Sequence, residues 1–341
     1  MNLIVLPNNK SGGAEKAAFN QFKLFENFGK SEILYLFNDH SIPHEENVFS
    51  LNTSIKYKLL VILRLLLFLR KNNNKNILCH LSSVFYVLAT LPSKNTTYNY
   101  FIHTDPKIEL STLKILYLKF FLLIGYDIRL FSLNKTYQNK INNYFNTSFL
   151  FSNYILFQYF KLDHNFNNIL CVGRFDPVKN FHLLTDLVIL FKEKIHLVSH
   201  EVVEHRNYFN KHIVNLQKSK NITLYQNIRT QKDLIPIANE CKFFLIISKY
   251  EGLPTVLIEA ASMGLIPLCI SAPGVTEFIR SLNLKWLNTF ETLEELTCFF
   301  FDLKKMNKDQ LNLYRIEYFN AVNLYYGPET VKLNYEKIFK N

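Results

Sequence analysis

The sequence predicts an α/β fold: two doubly wound parallel-sheet domains followed by a C-terminal helical segment. Three observations carry this. Short apolar runs alternate with stretches of helical period through both halves of the chain. At 341 residues the chain exceeds what one core usually organises, and two domains of about 150 to 180 residues are the natural division. Glycine is scarce, nine in all, yet Gly12, Gly13, Gly173, Gly252, Gly264 and Gly274 all fall at strand–helix turns. The expected domains are 1–165, 166–325 and a C-terminal helix over 326–341. The polar, Asn-rich Asp163–Asn168 stretch supplies the linker.

In the first half, Leu3–Leu6 reads as a strand. A polar turn, Asn8 to Gly13, leads from it into a helix over Ala14–Asn27. Adjacent glycines between a first strand and a first helix either close a tight turn or present backbone amides to an anion. Ile33–Phe37, Ile77–His80, Asn99–His103, Asp127–Phe131 and Phe149–Phe151 read as further strands, with helices over Val84–Leu91 and from Asn134 to near Tyr144. His103 ends its strand in FIHTDP, where ligands of such sheets are met, so both a structural and a functional role are open. His80 is placed similarly.

The net charge of +11 is unevenly held: Met1–Asn165 has 18 Lys and Arg against 10 acids, the remainder 21 against 18. A basic surface suits nucleic acid, anionic lipid or phosphorylated substrates. Zinc-finger spacing and RNP-type aromatic motifs are absent, so no nucleic acid partner is expected. Five scattered cysteines without a CxxC read as reduced core thiols of a cytosolic protein. Neither a signal peptide nor an uncharged run of membrane-spanning length is evident.

Two segments are both greasy and basic: Lys56 to Lys71, where Arg64 is the one polar residue between Leu59 and Leu69, and Thr112–Tyr126. Two readings are open. Each is a surface helix settling on an anionic leaflet with Lys56, Lys58, Arg70 and Lys71 at the headgroups, or a helix buried between the sheet and a neighbour.

The second half centres on Lys242–Phe278. Phe243–Ile247 is an apolar strand, Ser248–Pro254 a loop, Thr255 the start of a helix stopped at Gly264, and Ile266–Ile270 the next strand. The amides near Thr255 and Val256, at a helix N-terminus, suit a phosphate. Carboxylates beside a phosphate suit sugar hydroxyls instead: Glu259 a ribose, Glu251 a hexose. Gly252 lets the backbone approach a ligand closely. Upstream, the Ile169–Val172 strand ends in GRFDPVKN and is followed by a helix over Phe181–Phe191. Arg174 and Lys179 flank that turn, where a guanidinium and an ammonium could clamp a diphosphate beside helix amides. Strands over Ile195–Val198 and Ile222–Tyr225 and helices over Gln231–Asn239, Leu293–Lys305, Lys308–Asn320 and Glu329–Lys340 complete the pattern.

GRFDPVKN, SKYEGLPTVLIEA and MGLIPLCISAPGVTEFI together resemble glycosyltransferase family 4, retaining nucleotide-sugar enzymes of the GT-B fold, in which two Rossmann-like domains face across a cleft. The likeness is strongest from Ile169 to Ile279; SGGAE and FIHTDP of the first half fit in kind and order. The resemblance implies that Arg174 and Lys179 hold the donor diphosphate, Glu259 the ribose, and Glu251 the donor sugar. Gly252, Leu253 and Pro254 would shape the sugar pocket, Pro254 without an N–H to give. It also implies phosphate contacts from Thr255, Val256, Gly12 and Gly13, and His103 near the reacting sugar. The sequence departs from the family pattern at Ser199-His200-Glu201 and at Asn227, where glycines are usual.

The expected activity is therefore sugar transfer from a nucleotide-diphosphate sugar to a hydroxyl of a saccharide acceptor. A lipid-linked acceptor in a bacterial surface-polysaccharide pathway fits the charge and the greasy helices. Asp-x-Asp does not occur in the chain, in keeping with transfer that needs neither metal nor cofactor. The expected setting is cytoplasmic, with peripheral contact at the inner membrane. The rival readings are a nucleotide-sugar 2-epimerase and a non-catalytic donor-binding partner of an assembly complex.

Overall fold

The computed structural model describes residues 2–8, 13–26, 31–37, 46–72, 76–146, 148–151, 166–202, 205–226, 228 and 231–339. The chain divides into two compact units, Met1–Tyr154 with Val331–Asn341, and Ile155–Thr330.

The first unit is built on a parallel sheet of β1 (Asn2–Leu6), β2 (Ser31–Phe37), β3 (Val48–Thr53), β4 (Asn76–His80), β5 (Thr97–Ile102), β6 (Asp127–Ser132) and β7 (Phe149–Leu150), in the order β3-β2-β1-β4-β5-β6-β7. Strand order reverses between β1 and β4, where Val5 pairs with Cys79. Both faces are covered, which is why these strands read as continuous apolar runs. On one face α2 (Lys58–Lys71), α3 (Ser83–Ala89) and α5 (Thr112–Leu123) bury Val61, Leu65, Val87, Leu118 and Phe121, with α6 (Lys135–Asn142) adding Ile141. On the other, α1 (Gly13–Glu26) packs Phe22 and Phe25 with Val331 and Tyr335 from the returning C-terminal segment. A one-turn α4 (Pro106–Glu109) stands between β5 and α5.

The second unit holds a five-stranded parallel sheet, β10-β9-β8-β11-β12: β8 (Asn168–Phe175), β9 (Ile195–Glu201), β10 (Ile222–Tyr225), β11 (Cys241–Ile246) and β12 (Ile266–Cys269). Here the reversal lies between β8 and β11. One face is packed by α7 (Leu184–Phe191), α8 (Arg206–Lys218) and α12 (Leu293–Lys305) through Leu187, Phe191, Ile213 and Phe300. The remaining helices are α9 (Gln231–Asn239), α10 (Thr255–Ser262), α11 (Val275–Ser281), α13 (Lys308–Tyr326) and α14 (Pro328–Phe339). Reciprocal capping boxes, Thr292 with Glu295 and Asn307 with Gln310, fix where α12 and α13 begin.

Several elements differ from the sequence expectation. β3, α4, α8 and α11 were not foreseen. The helix expected over Phe181–Phe191 opens as a 3-10 turn, Phe181–Leu183, before α7. The helix expected to stop at Asn320 runs on to Tyr326, because no breaker precedes Gly327. The reading of the greasy helices as buried is overturned: only Val61 and Leu65 of α2, and only Leu118 and Phe121 of α5, are buried.

Candidate functional site

Open parallel sheets take ligands in the crevice at the carboxyl ends of their strands where strand order reverses. In the second unit that crevice is framed by the turn after β8 and the loop after β11, and local chemistry ties the two together. Asp176, 3% exposed, turns its Oδ1 on the amides of Val178 (3.0 Å) and Lys179 (3.1 Å), and its Oδ2 lies 3.4 Å from Arg174 Nη2. Asn180 takes a left-handed conformation (φ 58°), which short polar side chains tolerate, and its Nδ2 donates to the Ile247 carbonyl (3.1 Å). The Lys249 amide donates back to the Val178 carbonyl (2.8 Å).

So lashed, the turn presents Lys179 to the loop after β11, where its Nζ lies 2.6 Å from Glu251 Oε1. Both side chains are largely shielded, 15% and 14% exposed, so water screens the pair little. The stem of Lys179 runs over Gly173, whose missing Cβ leaves it room: a Cβ there would lie 3.3 Å from Lys179 Cε. Arg174, at the end of β8, keeps half its side chain in solvent. His200 pairs in register with it on β9, its imidazole pulled below the usual range by burial and by the Arg174 charge.

The Glu251 loop has its own support. The Glu251 amide donates to the Pro273 carbonyl (2.9 Å), and Gly274, at φ 81°, passes so close that a Cβ would fall 1.9 Å from the Glu251 carbonyl oxygen. Only glycine fits both the conformation and the space. Gly252 follows half-buried, Leu253 and Pro254 are buried, and α10 opens at Thr255. The Thr255 amide is turned on the Leu253 carbonyl (2.8 Å), and Val256, half-buried, is the second residue of the helix. Glu259 stands in the second turn of α10, half-buried. Within the Arg174–Lys179 turn, the amides of Val178 and Lys179 serve Asp176 rather than standing open.

In the first unit the carboxyl edge carries two buried imidazoles. His103, 8% exposed, follows β5; its Nε2 lies 2.8 Å from His80 Nδ1, and His80 Nε2 lies 2.7 Å from Gln21 Oε1 of α1. With the Gln21 amide so assigned, His80 gives its Nε2 proton to Gln21 and accepts the Nε2 proton of His103. That leaves His103 Nδ1, buried and without a hydrogen-bond partner among the described residues, as an acceptor. Burial draws the His103 imidazole down to about 3, and burial with the neighbouring His103 holds His80 well below the usual range. Glu109 of α4 grips the turn, Oε2 accepting from the amides of His103 and Thr104 (both 3.1 Å) and Oε1 from the Tyr100 hydroxyl (2.9 Å). Gly13 begins α1, exposed; Gly12 lies outside the described residues. Sequence reasoning named Arg174, Lys179, Glu251 and His103 but missed Asp176, Gln21, Glu109 and the supporting role of Gly274. DPVK after a strand and GV before a helix were the available signals for Asp176 and Gly274; nothing marked Gln21.

Among the described residues no helix is long and apolar enough to cross a membrane. Residues 155–297 match the family described as Glycosyl transferases group 1, a span that contains Arg174, Lys179, Glu251 and Glu259. No curated protein matches the chain. Among solved structures, HepE of Anabaena in complex with UDP and glucose is similar at a TM-score of 0.79 and 13% identity, covering 99% of each chain. Sucrose-phosphate synthase of Thermosynechococcus elongatus follows at 0.77 and 12%, covering 99% of this chain and 98% of that one. The apo form of the lipopolysaccharide outer core galactosyltransferase WaaB stands at 0.64 and 15%, covering all of both. The chain has the GT-B architecture of two Rossmann-like units, and the region similar to the group 1 glycosyl transferases lies in its second unit.

Proposed function

We propose that the chain is a retaining, metal-independent glycosyltransferase. It moves a sugar from a nucleotide-diphosphate sugar to a hydroxyl of a lipid-linked saccharide in the assembly of a surface polysaccharide. The observation that carries the reading is the meeting of Lys179 and Glu251 at 2.6 Å, with Arg174 on the same turn, at the strand-order reversal of the second sheet. A cation pair beside a carboxylate suits a ligand with a diphosphate at one end and hydroxyls at the other. That chemistry is a nucleotide sugar. The family region over residues 155–297 and the likeness to HepE, solved with UDP and glucose, support the donor class, and the likeness to WaaB supports the setting.

The bond between the anomeric carbon and the oxygen of the diphosphate breaks with oxocarbenium character on the sugar, the oxygen leaving with the diphosphate. Arg174 and Lys179 stabilise the charge gathering on the departing diphosphate, which is where positioned charge acts most strongly. Glu251 takes sugar hydroxyl protons as hydrogen bonds while orienting Lys179, and Glu259 takes those of the ribose. The Thr255 amide reaches a phosphate only by leaving the Leu253 carbonyl, whereas the Val256 amide, next in the helix, faces outward by position. The acceptor hydroxyl attacks on the face the diphosphate leaves, a phosphate oxygen taking its proton. His103 Nδ1 is an acceptor suited to a sugar hydroxyl in the first unit.

A thermal-shift series over nucleotide sugars, followed by donor hydrolysis and by NMR of the product anomer with and without EDTA, tests this. Stabilisation by one donor, slow hydrolysis and a retained anomer are expected. Binding without turnover would favour the non-catalytic partner, and 2-epimer formation without acceptor the epimerase. Loss of turnover in EDTA, restored by a divalent ion, would overturn metal independence.

A further inference from the structure

The helical layer on one face of the first sheet is apolar on both sides. Leu59, Leu63 and Leu67, spaced by four, form an outward stripe along α2, exposed by 71%, 50% and 60%. Leu113 and Leu123, exposed by 79% and 85%, bracket Leu116 and Phe120 on the outward side of α5. α3 joins the two: α2 packs beside it, and its Phe85 ring lies 5.9 Å from Tyr117 of α5. A helix covering a sheet in water exposes a polar face. These two do not, and contiguous apolar surface of this kind marks an interaction site.

Charge says what covers it. Between residues 48 and 126 the sequence has ten Lys and Arg against two acids, Asp105 and Glu109. Both acids are already engaged, Asp105 by Lys140 and the Lys107 amide, Glu109 by the turn at His103. No other carboxylate of this segment faces an incoming anion. A second copy of the same surface would bring like charge against like charge. An anionic lipid leaflet accepts both features, with leucines entering the acyl boundary and Lys56, Lys58, Arg70, Lys71 and Lys119 reaching the headgroups.

We propose that the outer face of α2, α3 and α5 seats the protein on an anionic lipid surface. In a parallel βαβ arrangement a helix runs back against its strands, so α2 and α5 begin at the carboxyl edge that carries His80 and His103. Ile108, 65% exposed, lies on the turn between His103 and α5. That edge of the first unit therefore meets the headgroup plane, the depth at which a saccharide on a lipid anchor is presented. The docking surface itself does not depend on the glycosyl-transfer reading.

Flotation of the full chain with phosphatidylcholine vesicles, with and without about a third phosphatidylglycerol, tests it alongside gel filtration and donor hydrolysis. Co-flotation only with the anionic vesicles is expected, reduced severalfold in 0.5 M salt. The L63S/L116S/L123S variant, altered only at exposed positions, is expected to float at least tenfold less with unchanged melting and unchanged donor hydrolysis. A wild-type protein that stays with the soluble fraction at low salt overturns the proposal, as does a variant that floats equally well. So does a dimer that the three substitutions dissociate in the absence of vesicles, which would assign the face to self-association. Loss of hydrolysis in the wild type with flotation intact would count against the transferase reading alone.

Discussion

The two sheets reverse strand order in the same way, yet their carboxyl edges are chemically opposite. The edge of the second unit gathers charge: Arg174, Lys179, Asp176 and Glu251, tied by short hydrogen bonds and one glycine contact. That of the first gathers neutral imidazoles, His103 and His80, held against Gln21 and gripped by an inward-facing glutamate. One topology thus offers an ionic clamp in one unit and an uncharged hydrogen-bonding chain in the other. On the function proposed above, a charged leaving group would be met by the ionic clamp and sugar hydroxyls by the uncharged chain.

The largest expected effect separates the edges directly. Arg174→Ala and Lys179→Ala should each lower kcat/KM by about 10²- to 10³-fold, as loss of transition-state charge stabilisation does. His103→Asn should cost about tenfold, the value of one neutral hydrogen bond. Steady-state kinetics with the donor found by thermal shift would break the comparison if the order were reversed. Because Lys179→Ala strands a shielded Glu251, the K179M/E251Q pair is the control; it should recover melting temperature without recovering turnover.

Next in size is Gly274→Ala. The 1.9 Å approach and φ of 81° force the Glu251 loop to move, so a loss of about 2 kcal/mol or more is expected. Donor affinity should drop while the first unit stays intact. Unchanged donor affinity at full occupancy of the fold would show that Glu251 is not placed by this contact.

A smaller effect concerns pH. The folded-state values of His103 and His80 lie below the unfolded value of about 6.5. Below that pH the unfolded chain takes up protons that the folded chain refuses. For His103 the stabilising contribution is complete above about pH 6.5 and is lost as pH falls towards about 3, at up to about 1.4 kcal/mol per pH unit; His80 acts in the same direction. Urea midpoints at pH 7.5 and 5.5 should differ in the wild type and differ less in His103→Asn; equal differences would remove the buried neutral pair from the account. Smallest is Glu109→Gln, which keeps one acceptor oxygen for the His103 turn. It should cost about 1 kcal/mol in stability and a few-fold in turnover, read by melting and kinetics together.

Much of this was legible in the sequence because parallel strands buried on both faces leave unbroken apolar runs, as at Leu3–Leu6 and Phe243–Ile246. β3 escaped because VFSLNT lies at the sheet edge, its apolar residues interrupted by Ser50 and Asn52 and its Phe49 open to solvent. α8, RNYFNKHIVNLQK, escaped because polar residues dilute its three buried positions. At the site, Lys179 and Glu251 were visible through their neighbours in sequence. Their contact was not, because it spans 72 residues. The same holds for His80 and Gln21, 59 residues apart. Which outer surfaces of α2 and α5 stay uncovered is also a tertiary fact: composition alone fits burial and exposure equally.

The return of residues 331–339 to the first unit has a consequence for how the protein is made. Val331, Tyr335 and Phe339 pack in one cluster with Phe25, Phe101 and Phe131, so this side of the first unit's core cannot close until residues 331–339 have been synthesised. The second unit, Ile155–Thr330, is translated in between. The first unit is therefore expected to complete its core only after the second has been synthesised, its Phe25 face uncovered until a segment some three hundred residues further on arrives.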